Sequence, residues 1–323
     1  MEERLVGSSG LRVSRLGLGT LTWGRDTDAH EAGDLLRAFV EAGGTLVDTA
    51  SSYGDGAAEE LIGGLLADVV SRDEVVLCSK AGITRRDGAR RTDASRGALL
   101  ADLDRSLHRL RTDHLDLWLV HGWSPLVPIE ETLRAMDDAV RSGRVRYVGV
   151  SNYSGWQTAH AATLLRQLSP GTRLVASQVE YSLVQRGVER EVVPAALALG
   201  VGLLAWSPLG RGVLTGKYRT GTPSDSRGAS PHLAAFVGRY LGGPSRHVVE
   251  ALLTAADGLG CSPVEVALAW LRAREPVSSA LVGARTAAQL RAAIASEDVE
   301  LPAEIHAALD EVSRPEIGYP ERF

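Results

Sequence analysis

The chain has 323 residues, 44 % of them hydrophobic and 23 % charged, which fits a soluble globular protein with enough chain for a large core. The net charge of −5 excludes the broad basic surface of a nucleic-acid-binding domain, and no apolar run approaches the ~20 residues of a membrane span. Cys78 and Cys261 form no motif and the first ten residues lack the apolar core of a signal peptide, so a reduced, cytoplasmic protein with no nucleic-acid or membrane partner is expected.

In chain order, Arg4–Val6 and Leu11–Val13 flank Ser8-Ser9-Gly10 and predict a short hairpin. Short apolar runs then alternate with stretches of helical period. Strands are predicted at Leu16–Gly19, Thr45–Val47, Val75–Ser79, Leu115–Val120, Val145–Val150, Leu174–Gln178, Val201–Ala205 and Ala280–Gly283. Helices are predicted near 28–42, 57–70, 95–110, 130–142, 155–166, 188–199 and 286–295, with a pair near 246–258 and 263–273 and a last helix near 303–312. The stretch Gly210–Pro244 has no period and is too long for an ordinary connection. Strand-then-helix repeated eight times, with strands apolar on both faces, predicts an α/β fold in one domain over 1–323. The expected form is a closed (β/α)₈ TIM barrel with an N-terminal hairpin, a long loop after the seventh strand and a C-terminal helix. An open doubly wound sheet is the alternative.

Polar residues collect where the strands end. Asp48, Lys80, His121, Ser151-Asn152, Gln178 and Trp206 each follow an apolar run, and Tyr53 lies just beyond Asp48. In a barrel these ends meet at the C-terminal rim, where active sites of this architecture sit. Singly, Asp48 reads as a cap, Lys80 as a solvated strand end, His121 as a core histidine and Tyr53 as a loop aromatic; together they form a proton-transfer group. Gly17-Leu18-Gly19 has Thr22 where a dinucleotide fingerprint needs glycine. The run ending Gly216-Lys217 has Arg211 and Tyr218 at positions that a P-loop fills with Gly and Ser or Thr. No metal-ligand spacing is present.

The runs GSSGLRVSRLGLGT, DTASSYGDGAAEELIG, LDLWLVH, GRVRYVGVSNY, AWSPLGRGVLTGKY and LVGARTAAQL resemble the aldo-keto reductases over nearly the whole chain. The style is similar to bacterial reductases related to potassium-channel β subunits rather than to the mammalian aldose reductases. The resemblance implies a catalytic tetrad of Asp48, Tyr53, Lys80 and His121 and NADPH as cofactor. It implies that Ser151, Asn152 and Gln178 hold the nicotinamide carboxamide and that Trp206 stacks on the ring. Ser207, Leu209, Gly210, Gly212 and Lys217 would cover the pyrophosphate, and Gly283, Arg285 and Gln289 would meet the 2′-phosphate end. Trp23, Trp123 and the 210–244 loop are expected as walls of a small-molecule carbonyl pocket. In this scheme Tyr53 protonates the carbonyl oxygen, Lys80 lowers the Tyr53 pKa, Asp48 holds Lys80, and His121 orients the substrate. Two departures stand out: Ala292 and Ala293 replace the polar residues that meet adenine, and the loop after Lys80 carries Arg85, Arg86, Arg90 and Arg91. That loop reads as a solvated basic loop or as a seat for an anionic substrate group such as a nucleotide sugar. An NADPH-binding regulatory subunit with little turnover, and a lyase forming a Schiff base on Lys80, are the competing functions. A monomer is expected, and the carbonyl, whether aldehyde, ketone or sugar keto group, is left open.

Overall fold

The computed structural model describes all residues except 87, 88, 225, 232, 317 and 320–323; the side chains of Arg85, Arg86, Arg90 and Pro244 also lie outside the described set. Twelve strands are described: β1 (Glu3–Leu5), β2 (Arg12–Ser14), β3 (Leu16–Gly19), β4 (Leu46–Asp48), β5 (Val76–Ala81), β6 (Ile83–Arg86), β7 (Ala89–Thr92), β8 (Leu115–Val120), β9 (Val145–Ser151), β10 (Leu174–Glu180), β11 (Gly202–Trp206) and β12 (Val277–Val282). Eight of them close a parallel barrel in the order β3-β4-β5-β8-β9-β10-β11-β12, with β12 returning to β3. The barrel predicted from the alternation is therefore the observed fold, and the open sheet is not.

The helices are α1 (Ala29–Glu41), α2 (Ala57–Asp68), α3 (Arg96–Leu110), α4 (Ile129–Arg141), α5 (Gly155–Leu168), α6 (Val192–Leu199), α7 (Ala234–Gly238), α8 (Pro244–Leu259), α9 (Pro263–Arg272), α10 (Ala287–Ile294) and α11 (Ala303–Val312). Local sequence explains their limits. Asp28 caps α1 by accepting from the backbone N–H groups of His30 and Glu31, and the helix buries Ala32, Leu35, Leu36 and Phe39, an i, i+3, i+4, i+7 stripe. Ser154 with Gln157 and Ser262 with Glu265 form capping boxes at α5 and α9. Among the described residues no single helix is long and apolar enough to cross a membrane.

The period of two along each strand builds the site. Leu46, Cys78, Leu119, Ala176 and Leu204 belong to one buried cluster. Two residues further along the same strands, on the same face, come Asp48, Lys80, His121, Gln178 and Trp206. The apolar cluster is completed by Val6, Leu11 and Val13, so the hairpin β1–β2 closes the opposite end of the barrel. Gly7 allows this close approach: its φ is +56°, and a Cβ there would sit 2.2 Å from the Gly200 carbonyl oxygen.

Three expectations change. The region 188–199 is a 3₁₀ turn at Gly187–Glu189 followed by α6, with Glu191 at its N-cap. The stretch 210–244 is not all irregular: Gly210–Thr215 forms 3₁₀ turns and Ala234–Gly238 forms α7. The arginine-rich loop after Lys80 is an antiparallel hairpin, β6–β7, pairing Ile83 with Thr92 and Arg85 with Arg90. The Asp-Gly pair between its two runs was the available hairpin signal.

Candidate active site

Asp48, at the end of β4, is 3 % exposed, and Lys80, on β5, is 0 % exposed. The Lys80 ammonium donates to Asp48 Oδ2 at 2.7 Å, to the Thr49 carbonyl at 2.8 Å and to the Tyr53 hydroxyl at 3.2 Å. All three of its N–H bonds are thus used, which is what a buried cation requires. Gln178 on β10 donates to the other Asp48 oxygen at 2.7 Å. The His121 ring lies edge-on to Tyr53, with centroids 6.0 Å apart, and its backbone N–H is pinned to the Ala81 carbonyl at 2.9 Å. Four residues separated by 73 positions of chain thus share one buried centre.

Burial alone would push the Lys80 pKa down, but Asp48 and Tyr53 outweigh it and the ammonium is held charged. Tyr53 corrects an expectation. Burial raises its pKa, the Lys80 cation pulls it down, Asp48 pushes it up again, and the net direction is upward. The reason is that burial of the phenol is the largest influence, while Asp48 partly cancels the Lys80 field beside it. Tyr53 is therefore held as the protonated acid at neutral pH.

Behind this centre lies a group that the sequence reading missed. Glu59 on α2 is buried, accepts from Ser79 Oγ at 2.6 Å and from Arg109 at 3.3 Å, and has a pKa raised by burial. Arg109 also lies over Gly56, where a Cβ would come within 2.4 Å of its guanidinium and where φ is +105°. The turn Tyr53–Gly56 is thus clamped from behind. The signal was legible: Glu59 falls in the 59, 62, 66 stripe that α2 buries.

The neighbouring rim residues bond chiefly to one another. Ser151 Oγ donates to the Gln178 carbonyl at 3.0 Å, and Asn152 Nδ2 donates to the His121 carbonyl and to Ser151 Oγ, both at 3.0 Å. Asn152 Oδ1 accepts from the Trp206 indole N–H at 3.1 Å. Asn152, Ser207 and Arg211 all hold positive φ, of 59°, 53° and 60°. Left-handed backbone at three non-glycine residues on one rim, about 1–3 kcal/mol each, persists only where surroundings over-determine it and marks functional sites. An open cleft of about 550 Å³ adjoins Asn152 and Trp206, but Tyr53 and His121 are not among its lining residues.

Gly210 and Gly212 hold positive φ, the Leu209 carbonyl accepts from Gly212, and exposed Lys217 lies over the Tyr218 ring at 5.3 Å. At the end of β12, Gly283 is exposed, Gln289 accepts from the Arg285 backbone N–H at 3.0 Å, and Ala293 is buried in the core. Arg227, from the 210–244 stretch, donates to the Gly283 carbonyl at 3.4 Å. Burial, and then the Arg285 charge, push its pKa down. Arg227 was not singled out from sequence because it sits in an aperiodic run.

Of the expected pocket walls, Trp123 is half-buried and packs edge-on against Tyr153 and Trp156, each at 5.3 Å. Trp23 does not serve as a wall: it is 0 % exposed and packed in the core, so it presents no face to a ligand. Of the arginine hairpin, the side chains of Arg85, Arg86 and Arg90 lie outside the described residues, and Arg91 is exposed.

The Aldo/keto reductase family model matches residues 15–314. The chain belongs to the aldo-keto reductase family. It is 36 % identical to the uncharacterized oxidoreductase YrpG of Bacillus subtilis over 97 % of this chain and 96 % of that protein. It is 36 % identical to a probable voltage-gated potassium channel subunit beta of Oryza sativa over 88 % of this chain and 87 % of the other. It is 35 % identical to the L-glyceraldehyde 3-phosphate reductase of Escherichia coli over 90 % of this chain and 86 % of the other. The family's barrel thus agrees with the observed fold.

Proposed function

We propose that this aldo-keto reductase uses NADPH to reduce a small carbonyl substrate, with Tyr53 as the general acid. The observation that carries the reading is the bonded chain Gln178–Asp48–Lys80–Tyr53 beside His121, buried at the rim where the eight strands end. NADPH supplies the hydride when bound. The donor set fits it: Arg227, bonded to the Gly283 carbonyl, and Arg285 two residues further along would meet a 2′-phosphate, and Trp206 is a flat, half-buried ring held by Asn152. Gln178, whose amide N–H group is engaged with Asp48, offers its oxygen to a carboxamide. Ser151 and Asn152 orient this wall through the bonds already described. Ser207, Leu209, Gly210, Gly212 and Lys217 would cover the pyrophosphate, and Gly283, Arg285 and Gln289 would border the 2′-phosphate end. The buried Ala293 adds no polar contact to adenine.

In the reaction the Tyr53 hydroxyl donates its proton to the carbonyl oxygen as negative charge develops there. The phenolate left behind is stabilised by the Lys80 ammonium, which Asp48 keeps charged and in place. His121 orients the carbonyl toward Tyr53. Trp123 would form one wall of the pocket. The reading is tested by following NADPH oxidation with a panel of neutral and phosphorylated aldehydes and keto sugars, the phosphorylated ones suggested by the Escherichia coli relative's name. Turnover dependent on Tyr53 supports it. Tight NADPH binding without turnover on any member would favour a regulatory subunit.

A further inference from the structure

Arg211 follows the strand β11 and belongs to the segment expected to face cofactor phosphate, yet its side chain turns into the protein. It is 3 % exposed and forks onto Glu180 of β10, at 2.7 Å and 2.5 Å. Its remaining terminal nitrogen donates to the Phe236 carbonyl at 2.6 Å. The guanidinium lies flat against the Phe236 ring, 3.5 Å from its centroid, with Tyr240 at 5.1 Å and Trp206 at 5.6 Å. Phe236 is stacked on Trp206, with centroids 6.3 Å apart and planes 14° from parallel. Arg211 holds this position with φ of +60°, so the backbone is strained to bring the fork inward.

The geometry points to Arg211 as a positioning residue: through a Glu180–Arg211–Phe236–Trp206 stack it fixes the α7 segment to β10 and holds the Trp206 ring for the nicotinamide. The inference rests on the reductase reading only for what Trp206 touches. The mechanical part stands alone. Glu180 fixes the guanidinium, the guanidinium grips α7 by one carbonyl and one ring face, and α7 covers one face of Trp206. Asn152 holds the indole N–H from the side, and both residues line the open cleft that a ligand would enter. A guanidinium suits this task because it can form a planar fork and stack at once, which an ammonium cannot.

The test compares wild type with Arg211→Met, Arg211→Lys and Phe236→Leu in the full chain. Trypsin, without cofactor, should cleave after Lys217, Arg219, Arg227 or Arg239 roughly tenfold faster in Arg211→Met and Phe236→Leu, because cleavage tracks the open population. NADPH release, followed by tryptophan fluorescence in stopped flow, should also accelerate roughly tenfold. The hydride-transfer rate in a single turnover at saturating NADPH should change far less. Arg211→Lys should fall between, and full restoration by Lys would reduce the site to an ion pair and overturn the stacked chain. Where Arg211→Met does not fold, Phe236→Leu, at a half-buried ring, carries the same readouts at an unchanged melting temperature. Wild-type cleavage and release in Phe236→Leu would overturn the proposal. A protein that binds no NADPH but shows faster cleavage would lose the reductase reading and keep the latch.

Discussion

Replacing Lys80 by Met tests the centre most directly, because the structure fixes what is left behind. Asp48 is 3 % exposed and accepts from Lys80 and Gln178, each at 2.7 Å, with the Cys78 thiol as a further hydrogen-bond partner. Removing the ammonium strands a buried carboxylate with neutral donors alone, and breaking a buried pair in this way costs ~3–5 kcal/mol. Urea unfolding followed by far-UV circular dichroism at neutral pH measures this loss against wild type. Adding Asp48→Asn to Lys80→Met should recover about half or more of the loss, since the unpaired charge is then gone. A deficit below about 1 kcal/mol, or no recovery in the double variant, would refute the account of Asp48 and Lys80 as a desolvated ion pair.

Tyr53→Phe should lower kcat ~10²–10⁴-fold while leaving NADPH affinity within about a factor of two, as read by steady-state kinetics and fluorescence quenching. Because Tyr53 is held above the ordinary phenol range, wild-type kcat should stay flat through neutral pH and fall only on the alkaline side; a fall centred near neutrality would remove Tyr53 as the acid. Arg285→Ala should weaken NADPH by ~1.5–3 kcal/mol and NADH little, and Arg227→Ala should do the same; equal loss of both coenzymes would move the 2′-phosphate elsewhere. Gly56→Ala meets both the Arg109 guanidinium and a φ of +105°, so thermal unfolding should show ~1–3 kcal/mol of destabilisation.

The positions proposed as catalytic were legible as one cluster because a strand repeats every two residues. An apolar residue such as Cys78 pointing into the barrel places Lys80 on the same face one step nearer the rim, and Leu46 does the same for Asp48. What stayed hidden depends on contacts between distant segments. Arg211 reads as one more basic residue of a glycine-rich run until Glu180 and Phe236 are seen around it. Trp23 sits after a strand as a wall residue would, but the packing of α1 and α2 encloses it. The direction of the Tyr53 shift also eluded sequence reasoning, since it depends on how completely the ring is buried and on how far Asp48 cancels its neighbour's field.

The left-handed backbone at Asn152, Ser207 and Arg211 bears on how this enzyme can diversify. Any L side chain there bears about 1–2 kcal/mol of backbone strain, and a β-branched one more, before any ligand is considered. A mutational library spread evenly over the rim should therefore lose its β-branched members first at these positions. The hairpin β6–β7 and the segment after His121 have no such restriction at Thr84, Ala89, Arg91 or Trp123, and Thr84, Ala89 and Arg91 are exposed. Selection for a new substrate should accumulate its changes on that side of the barrel mouth, leaving the Trp206 side nearly constant.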